Sequence, residues 1–526
     1  LGSFVVVNAL RINQEDNVEK GKQVQLMKAI YQGAKSVVAW LGPAADESDH
    51  LIDTLSHAGE EAFKSRILQP DLSNEERYLE YTDANNRLIK KLGQEPFFPI
   101  ENLRSFVNKP YWTRVRIVQE LSLARDVIFA CGNKQISYNH LRHALIFYAT
   151  YIRVSLKDIT DRHSLQDIAL DPEMLQTFRI LISAPVFSAA DKMLSSRHKY
   201  CCQIENKGHD LYGILKYCHV IDDSEIRLEA TNQRDKIYGL LGLAKDTFGI
   251  SPDYLEPISK VYTDIARLLM RSGQVDLLWL CQFPKSIQNL PTWVPDWSAP
   301  LQNPYGTDFA PDTRTFAASG KRSACVTCTD DLNGFVTLQG VVVDEVAAIG
   351  STWAKAETSQ LDEETGATSR FLTDIDQLCD ETLRLGHQDP GLLSEARWRT
   401  AIGDKEHTER GTAVRATTRC SKGRQAVLSR IEWHKINRAI EKLSQDGIVP
   451  DRLPVLGKIE PFGKEERSYQ HFMGEMSNRR PFRSRNGYVG LGPVDMLPGD
   501  LLCIVLGAQV PYILGHSGAH RYQLLG

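Results

Sequence analysis

Along the first 138 residues, short apolar runs alternate with amphipathic ones. Residues 4–7 (FVVV) form an apolar run that predicts a buried strand, and residues 36–41 predict a second. Between them Asp16 and Glu19 have the spacing of a capping box. Val24, Met27, Ile30, Tyr31 and Ala34 share one face of the helix that the cap would open. Strand, helix and strand in so short a span predict a βαβ crossover with parallel pairing. Pro110 opens a further helix in this reading, on which Trp112, Arg116, Gln119, Glu120 and Leu123 share one side. Apolar residues cover most of the circumference of this helix, the pattern of a buried element, and a buried strand at 127–131 follows it.

The rest of the chain changes character twice. Residues 44–104 are polar and charged, with a helix near 74–91, and read as an excursion from the sheet. From 139 to 300 the pattern is mainly helical and includes a helix closed by Gly273. Gly239-Leu-Leu-Gly242 falls inside a helix-like run, and the Trp and Pro cluster at 291–300 reads as a turn-rich boundary. Beyond it, 323–349 alternates as a hairpin around Asn333-Gly334, 354–424 is polar and charge-rich, a helix runs through 431–443, and strands occupy 488–525. The expected organisation is an α/β domain at 1–138 with an insertion at 44–104, a mainly α region at 139–300, and an α+β region with β-hairpins at 301–526. In the first of these, ligands would sit at the carboxyl ends of the strands, where Asn8, Asn13 and Gln14 follow the opening strand.

Composition adds little to this picture. A chain of 526 residues with 42% apolar and 24% charged content has room for two to four domains, each with its own core. The net charge of −4 gives no reason to expect nucleic-acid binding. The longest apolar run, 501–514, is too short to span a bilayer. Ten scattered cysteines, most in apolar contexts, suit reduced thiols in a cytoplasmic protein. Cys325-x-x-Cys328 lacks a second pair at metal spacing, and His140-x-x-His143 lacks a third ligand, so no metal site is expected. Gly515-His516-Ser517-Gly518 has no helix after it and reads as a loop rather than a nucleophile elbow.

Five ordered segments resemble the signature of the fungal heterokaryon incompatibility (HET) domain and of the regions that accompany it. They are 9–43, the W-x-R-x-x-x-x-QE pattern from Trp112 to Glu120 with its following strand and Cys131-Gly132, TNQRDKIYGLLGLA at 231–244, the run from Pro252 to LPTWVPDWS at 290–298, and 490–514. The resemblance implies a role in non-self recognition and programmed cell death, with self-association or other HET proteins as partners. It also implies a distant likeness to TIR domains, hence a TIR-like parallel sheet. In NAD-cleaving TIR domains a helix with a Trp and then an essential Glu lines the nucleotide crevice, so the resemblance implies Glu120 as catalytic residue and NAD as substrate rather than cofactor. A carboxylate alone suits this chemistry, because nicotinamide already leaves as a cation-derived neutral group and needs no general acid. Asn8, Asn13, Gln14, Trp112 and Arg114 are then the binding residues, with Trp112 as a stacking surface and Arg114 as a phosphate contact. The chain departs from the family at Val6, Asn8 and Arg11, where Trp, Asp and Cys are usual, and at Arg116, which replaces a second Trp and brings a cation within reach of Glu120. The family's opening Tyr-x-x-Leu-Ser-Tyr-x-Trp-Gly strand does not occur, so the sheet is expected to be incomplete at its start. The alternative is a non-enzymatic HET module that acts by oligomerisation.

Overall fold

A computed structural model describes residues 13, 16–65, 75–92, 99–163, 168, 170–185, 188–204, 209–221, 226–302, 315–327, 334–354, 361–407, 413–445, 463–518 and 521–526. The chain forms two compact units, Leu1–Val261 and Tyr262–Gly526.

In the first unit the Asp16 carboxylate accepts the N–H groups of Val18 and Glu19 at 2.9 and 3.0 Å. It thereby opens α1 (Asn17–Gly33), which buries Val24, Met27 and Tyr31 as its periodicity requires. Next comes β1 (Val37–Trp40), then the helices α2 (Ser48–Lys64), α3 (Glu75–Leu92) and α4 (Ile100–Val107), followed by α5 (Val115–Leu123). β2 (Val127–Cys131) pairs parallel with β1 and antiparallel with β3 (Lys134–Ser137). The parallel pair agrees with the α/β reading. The sheet seen here is mixed and three-stranded, and the strand expected at 4–7 lies outside the described residues.

Two expectations change. The stretch 44–104 is not an excursion throughout: α2 buries Leu51, Ile52, Leu55, Ala58 and Ala62 and packs along α6 (Tyr138–Arg162). The two helices meet so closely that a Cβ on Gly59 would lie 2.0 Å from the His140 carbonyl oxygen. The helix expected to open at Pro110 starts later. Pro110–Thr113 is a 3-10 turn, Arg114 is extended, and α5 begins at Val115. The break has a long-range cause, because the backbone at 113–115 pairs with Glu229. Val115 N–H donates to the Glu229 carbonyl at 2.9 Å, and Glu229 N–H donates to the Thr113 carbonyl.

Helices α7 (Pro172–Ile182), α8 (Ala189–Ile204), α9 (Leu211–His219), the single turn α10 (Asp235–Tyr238) and α11 (Ile258–Arg271) follow. The run IYGLLGLA is thus broken into turns rather than one helix. The expected stop after α11 is present, with Gly273 at φ +92°.

In the second unit a hairpin of β4 (Val326–Thr327) and β5 (Thr337–Leu338) precedes β6 (Gly340–Ile349). Helices α12 (Leu361–Leu385) and α13 (Pro390–Arg399), strands β7 (Lys405–His407) and β8 (Ala413–Arg415), and helices α14 (Arg419–Gln445) and α15 (Lys464–Glu475) come next. The chain ends in β9 (Arg479–Ser484), β10 (Val489–Pro493), β11 (Leu501–Val505), β12 (Tyr512–His516) and β13 (Tyr522–Leu524). Six strands form one antiparallel sheet in the order β10-β9-β6-β11-β12-β13. Bulges at Arg483/Ser484 and Leu502/Cys503 bend it. A Cβ on Gly526 would lie 3.0 Å from Pro493 Cβ, so the end of the chain returns beside β10 and the sheet curls toward a barrel. Its interior holds Val346, Phe482, Met496, Leu502 and Ile513. A second core, around Trp353, Phe371, Ile375, Trp398, Tyr469 and Phe472, is supplied largely by the helices of the stretch that reads as merely polar.

Candidate functional site

The residues singled out by the W-x-R-x-x-x-x-QE pattern lie on two elements rather than one. Trp112, in the 3-10 turn, is 0% exposed. Its indole N–H donates to the Phe106 carbonyl at 2.9 Å, and its ring lies 5.1 Å from Phe129 and 5.3 Å from Tyr111, centroid to centroid. An indole clamped between a strand and a helix is core, and a nucleotide would reach it only by displacing Phe106 or Tyr111. Arg114 is exposed at the foot of α5 and is available to an anion. Asn13 is exposed as well, while Asn8 and Gln14 lie outside the described residues.

Helix α5 buries Val115, Ile117, Val118, Gln119, Leu121, Ser122 and Leu123, as its apolar circumference foretells. Glu120 is half-buried. Near it the Tyr111 phenol is pushed well above its ordinary pKa, first by burial and then by the Glu120 charge. Among the described residues that buried hydroxyl has no hydrogen-bond partner. The carboxylate thus lies close enough to the phenol for its charge to be felt.

Arg116, expected to face Glu120, serves another carboxylate. Its Nη2 donates to Asp235 Oδ1 at 2.8 Å and to the Tyr254 hydroxyl at 3.2 Å. The Tyr254 hydroxyl donates to the same Asp235 oxygen, while Lys20 Nζ of α1 stands 3.8 Å from Oδ2 and 4.3 Å from the centre of the Tyr254 ring. Lys20, Asp235 and Tyr254 are all buried. Burial lowers the Lys20 pKa despite the attraction of Asp235, and burial followed by the Asp235 charge raises that of Tyr254. Arg234 Nε and Nη2 donate to the Glu256 carbonyl at 2.8 and 2.6 Å. Four of the separated sequence segments therefore meet at the Asp235 carboxylate, and glycines allow the approach. A Cβ on Gly21 would lie 2.7 Å from the Pro252 carbonyl oxygen, one on Gly239 3.2 Å from Arg116 Cγ, and one on Gly242 2.1 Å from Gln119 Nε2. With Oδ1 accepting from Arg116 and Tyr254 and Oδ2 facing the Lys20 ammonium at 3.8 Å, Asp235 is an anchor held by three groups.

Sequence reasoning did not single out Asp235, Lys20 or Tyr254. One signal was present: Lys20 falls on the stripe of Val24, Met27 and Tyr31, where a lone cation implies a buried partner.

Other candidates resolve quietly. His143 is buried, its Nδ1–H donating to the Asn139 carbonyl at 2.6 Å, and its ring meets Phe63 edge-on. Trp297 is fully buried beside Asp296, whose carboxylate accepts N–H groups from Ser286, Ile287 and Ser298. Among the described residues no group of three or more His, Cys, Asp or Glu side chains is placed to hold a metal, and no helix is long and apolar enough to cross a membrane.

The family model described as heterokaryon incompatibility protein (HET) matches residues 4–120, and that of the Het-6 beta-barrel domain matches residues 334–526. The chain is similar to heterokaryon incompatibility protein 6, OR allele, of Neurospora crassa, with 27% identity over 588 aligned residues, 99% of this chain and 79% of that protein. No solved structure matches.

Proposed function

This chain belongs to the heterokaryon incompatibility (HET) protein family, and from that premise we propose that it acts in fungal non-self recognition, triggering cell death by association of its N-terminal unit rather than by nucleotide chemistry. The observation that carries this reading is the use to which the segments resembling the family signature are put. Trp112 is locked in the core and Arg116 is spent on Asp235, so the pattern that resembles a nucleotide wall serves here to hold α1, α5 and the 231–256 segment together. The partner is a second HET protein or another copy of this chain, in the cytoplasm. The test is inducible expression in a fungal host as a fusion to a drug-controlled dimerisation domain. Drug-dependent growth arrest is expected, and Glu120→Gln should arrest growth equally. No arrest on dimerisation, or an arrest abolished by Glu120→Gln, would overturn the reading.

A second reading, NAD glycohydrolysis at a TIR-like crevice, is favoured by the half-buried Glu120 whose charge is felt by the Tyr111 phenol. A half-buried carboxylate beside an unengaged buried phenol can hold ribose hydroxyls and stabilise oxocarbenium charge, with Arg114 exposed nearby in sequence for a phosphate. In that case Trp112 acts by supporting Tyr111, which it meets edge-on, and not by stacking on the substrate.

A further inference from the structure

On one side the sheet of the first unit ends at β1. Val37 N–H donates to the Asp126 carbonyl and Leu41 N–H to the Ala130 carbonyl, each at 2.8 Å, so the odd positions of this strand bond toward β2. The N–H and C=O groups of Val38 and Trp40 therefore face the other way. Among the described residues no strand pairs with that edge. The side chains of Val38 and Trp40 share one face of the sheet and are 58% and 55% exposed, while Ala39 between them is 3% exposed. Edge strands are ordinarily blunted by a charge, a proline or a bulge. Residues 36–42 carry no charge and no proline, and β1 runs along β2 without a shift of register.

This edge is complementary to itself. Set antiparallel to a second copy about a two-fold axis at Ala39, Val38 of each strand lies opposite Trp40 of the other. An aromatic side chain then meets a β-branched one twice over, and the outward groups of both residues exchange hydrogen bonds. Charge favours the same orientation. Exposed Lys35 precedes the strand, with exposed Arg125 and Asp126 offsetting each other at the start of β2, and exposed Asp46 and Glu47 follow it. Antiparallel pairing turns the cationic end of one strand toward the acidic end of the other, whereas parallel pairing would set like against like.

We propose that β1 is a self-association edge, through which the first units of two copies of this chain join antiparallel into one continuous sheet. This edge serves the association already proposed for the N-terminal unit, and so rests on that reading, with a second copy as the partner. One short strand from each copy makes a small contact, so the pairing is weak and driven by concentration, which suits a unit that acts only when gathered.

The test is sedimentation of the purified full chain across the micromolar range, with hydrogen exchange at residues 36–41 followed at the same concentrations. A monomer–dimer equilibrium is expected, with protection of 36–41 rising as the dimer fraction rises. Trp40→Lys changes an exposed side chain, and Val38→Pro removes an N–H that β2 does not use. Each should weaken the dimer about tenfold or more and leave the circular dichroism of the chain unchanged. The proposal is overturned by a dimer that both variants leave intact, or by protection of 36–41 that is independent of concentration, as an edge covered within the chain itself would give. A chain that stays monomeric, yet arrests growth when forced together by drug, would sink the edge and spare the reading it rests on.

Discussion

Asp235 shows how magnitudes decide between roles. Its two oxygens hold a guanidinium, a phenol and an ammonium in a buried setting, and removal of one partner from such a cluster leaves unbalanced charge. Asp235→Ala is therefore expected to cost about 3–5 kcal/mol in denaturant unfolding. Lys20→Met should cost far less, under about 1 kcal/mol, because burial already outweighs the attraction of Asp235 for that ammonium. A larger loss for Lys20→Met than for Asp235→Ala would reverse this ranking. A second residue carries a pH signature. His219 is buried, its Nε2–H donates to the Lys236 carbonyl at 2.6 Å, and burial first, then Lys236, pushes its pKa down to about 3. The folded chain keeps it neutral while the unfolded chain protonates it near its ordinary value of about 6.5. Its contribution is thus present above that value and is lost as pH falls toward 3. Wild type compared with His219→Gln should show a stability difference that shrinks by about 1.4 kcal/mol per pH unit between roughly pH 6 and 4. A pH-independent difference would mean that the imidazole is already charged in the fold.

At the level of elements, what a one-dimensional pattern conveys depends on which residues make the contact. Helix α1, the strands β1 and β2, the buried α5 and the closing strands were legible, because each rests on large apolar residues at a regular period. Helix α2 was not, since its close approach to α6 is made at Gly59 and its buried face includes Ala58 and Ala62, which signal little hydropathy. The break at Arg114 was invisible for a different reason: its cause, Glu229, lies more than a hundred residues along the chain. In the candidate site, Glu120 was singled out by the motif alone, whereas the burial of Trp112 depends on Phe106 and Phe129 arriving from other elements and the Asp235 cluster on residues far apart in the chain. Glycine substitutions test this account of packing. Gly59→Ala forces a backbone carbonyl to move and should cost about 3 kcal/mol, whereas Gly242→Ala meets the end of the Gln119 side chain and should cost nearer 1. Equal, small losses would show that the α2–α6 approach is looser than described.

Across the whole chain, two units with separate cores correspond in order to the two matched family regions, one in each unit. The thiol chemistry follows from burial. Cys218, Cys281 and Cys420 are pushed up to about 12, and Cys379 and Cys503 to about 11, all chiefly by burial. Cys201 and Cys325 are exposed and should label rapidly with a neutral maleimide in the native chain, whereas the buried Cys131, Cys218, Cys281, Cys379, Cys420 and Cys503 should react on unfolding. The central proposal concerns function: that the HET signature acts as scaffold, with Trp112 in the core and Arg116 engaged by Asp235. It is tested most directly by nicotinamide release from NAD, measured with the purified full chain held as forced dimers, wild type against Glu120→Gln. The account predicts release at the level of buffer alone for both proteins. Release by the wild type that disappears in Glu120→Gln would contradict it.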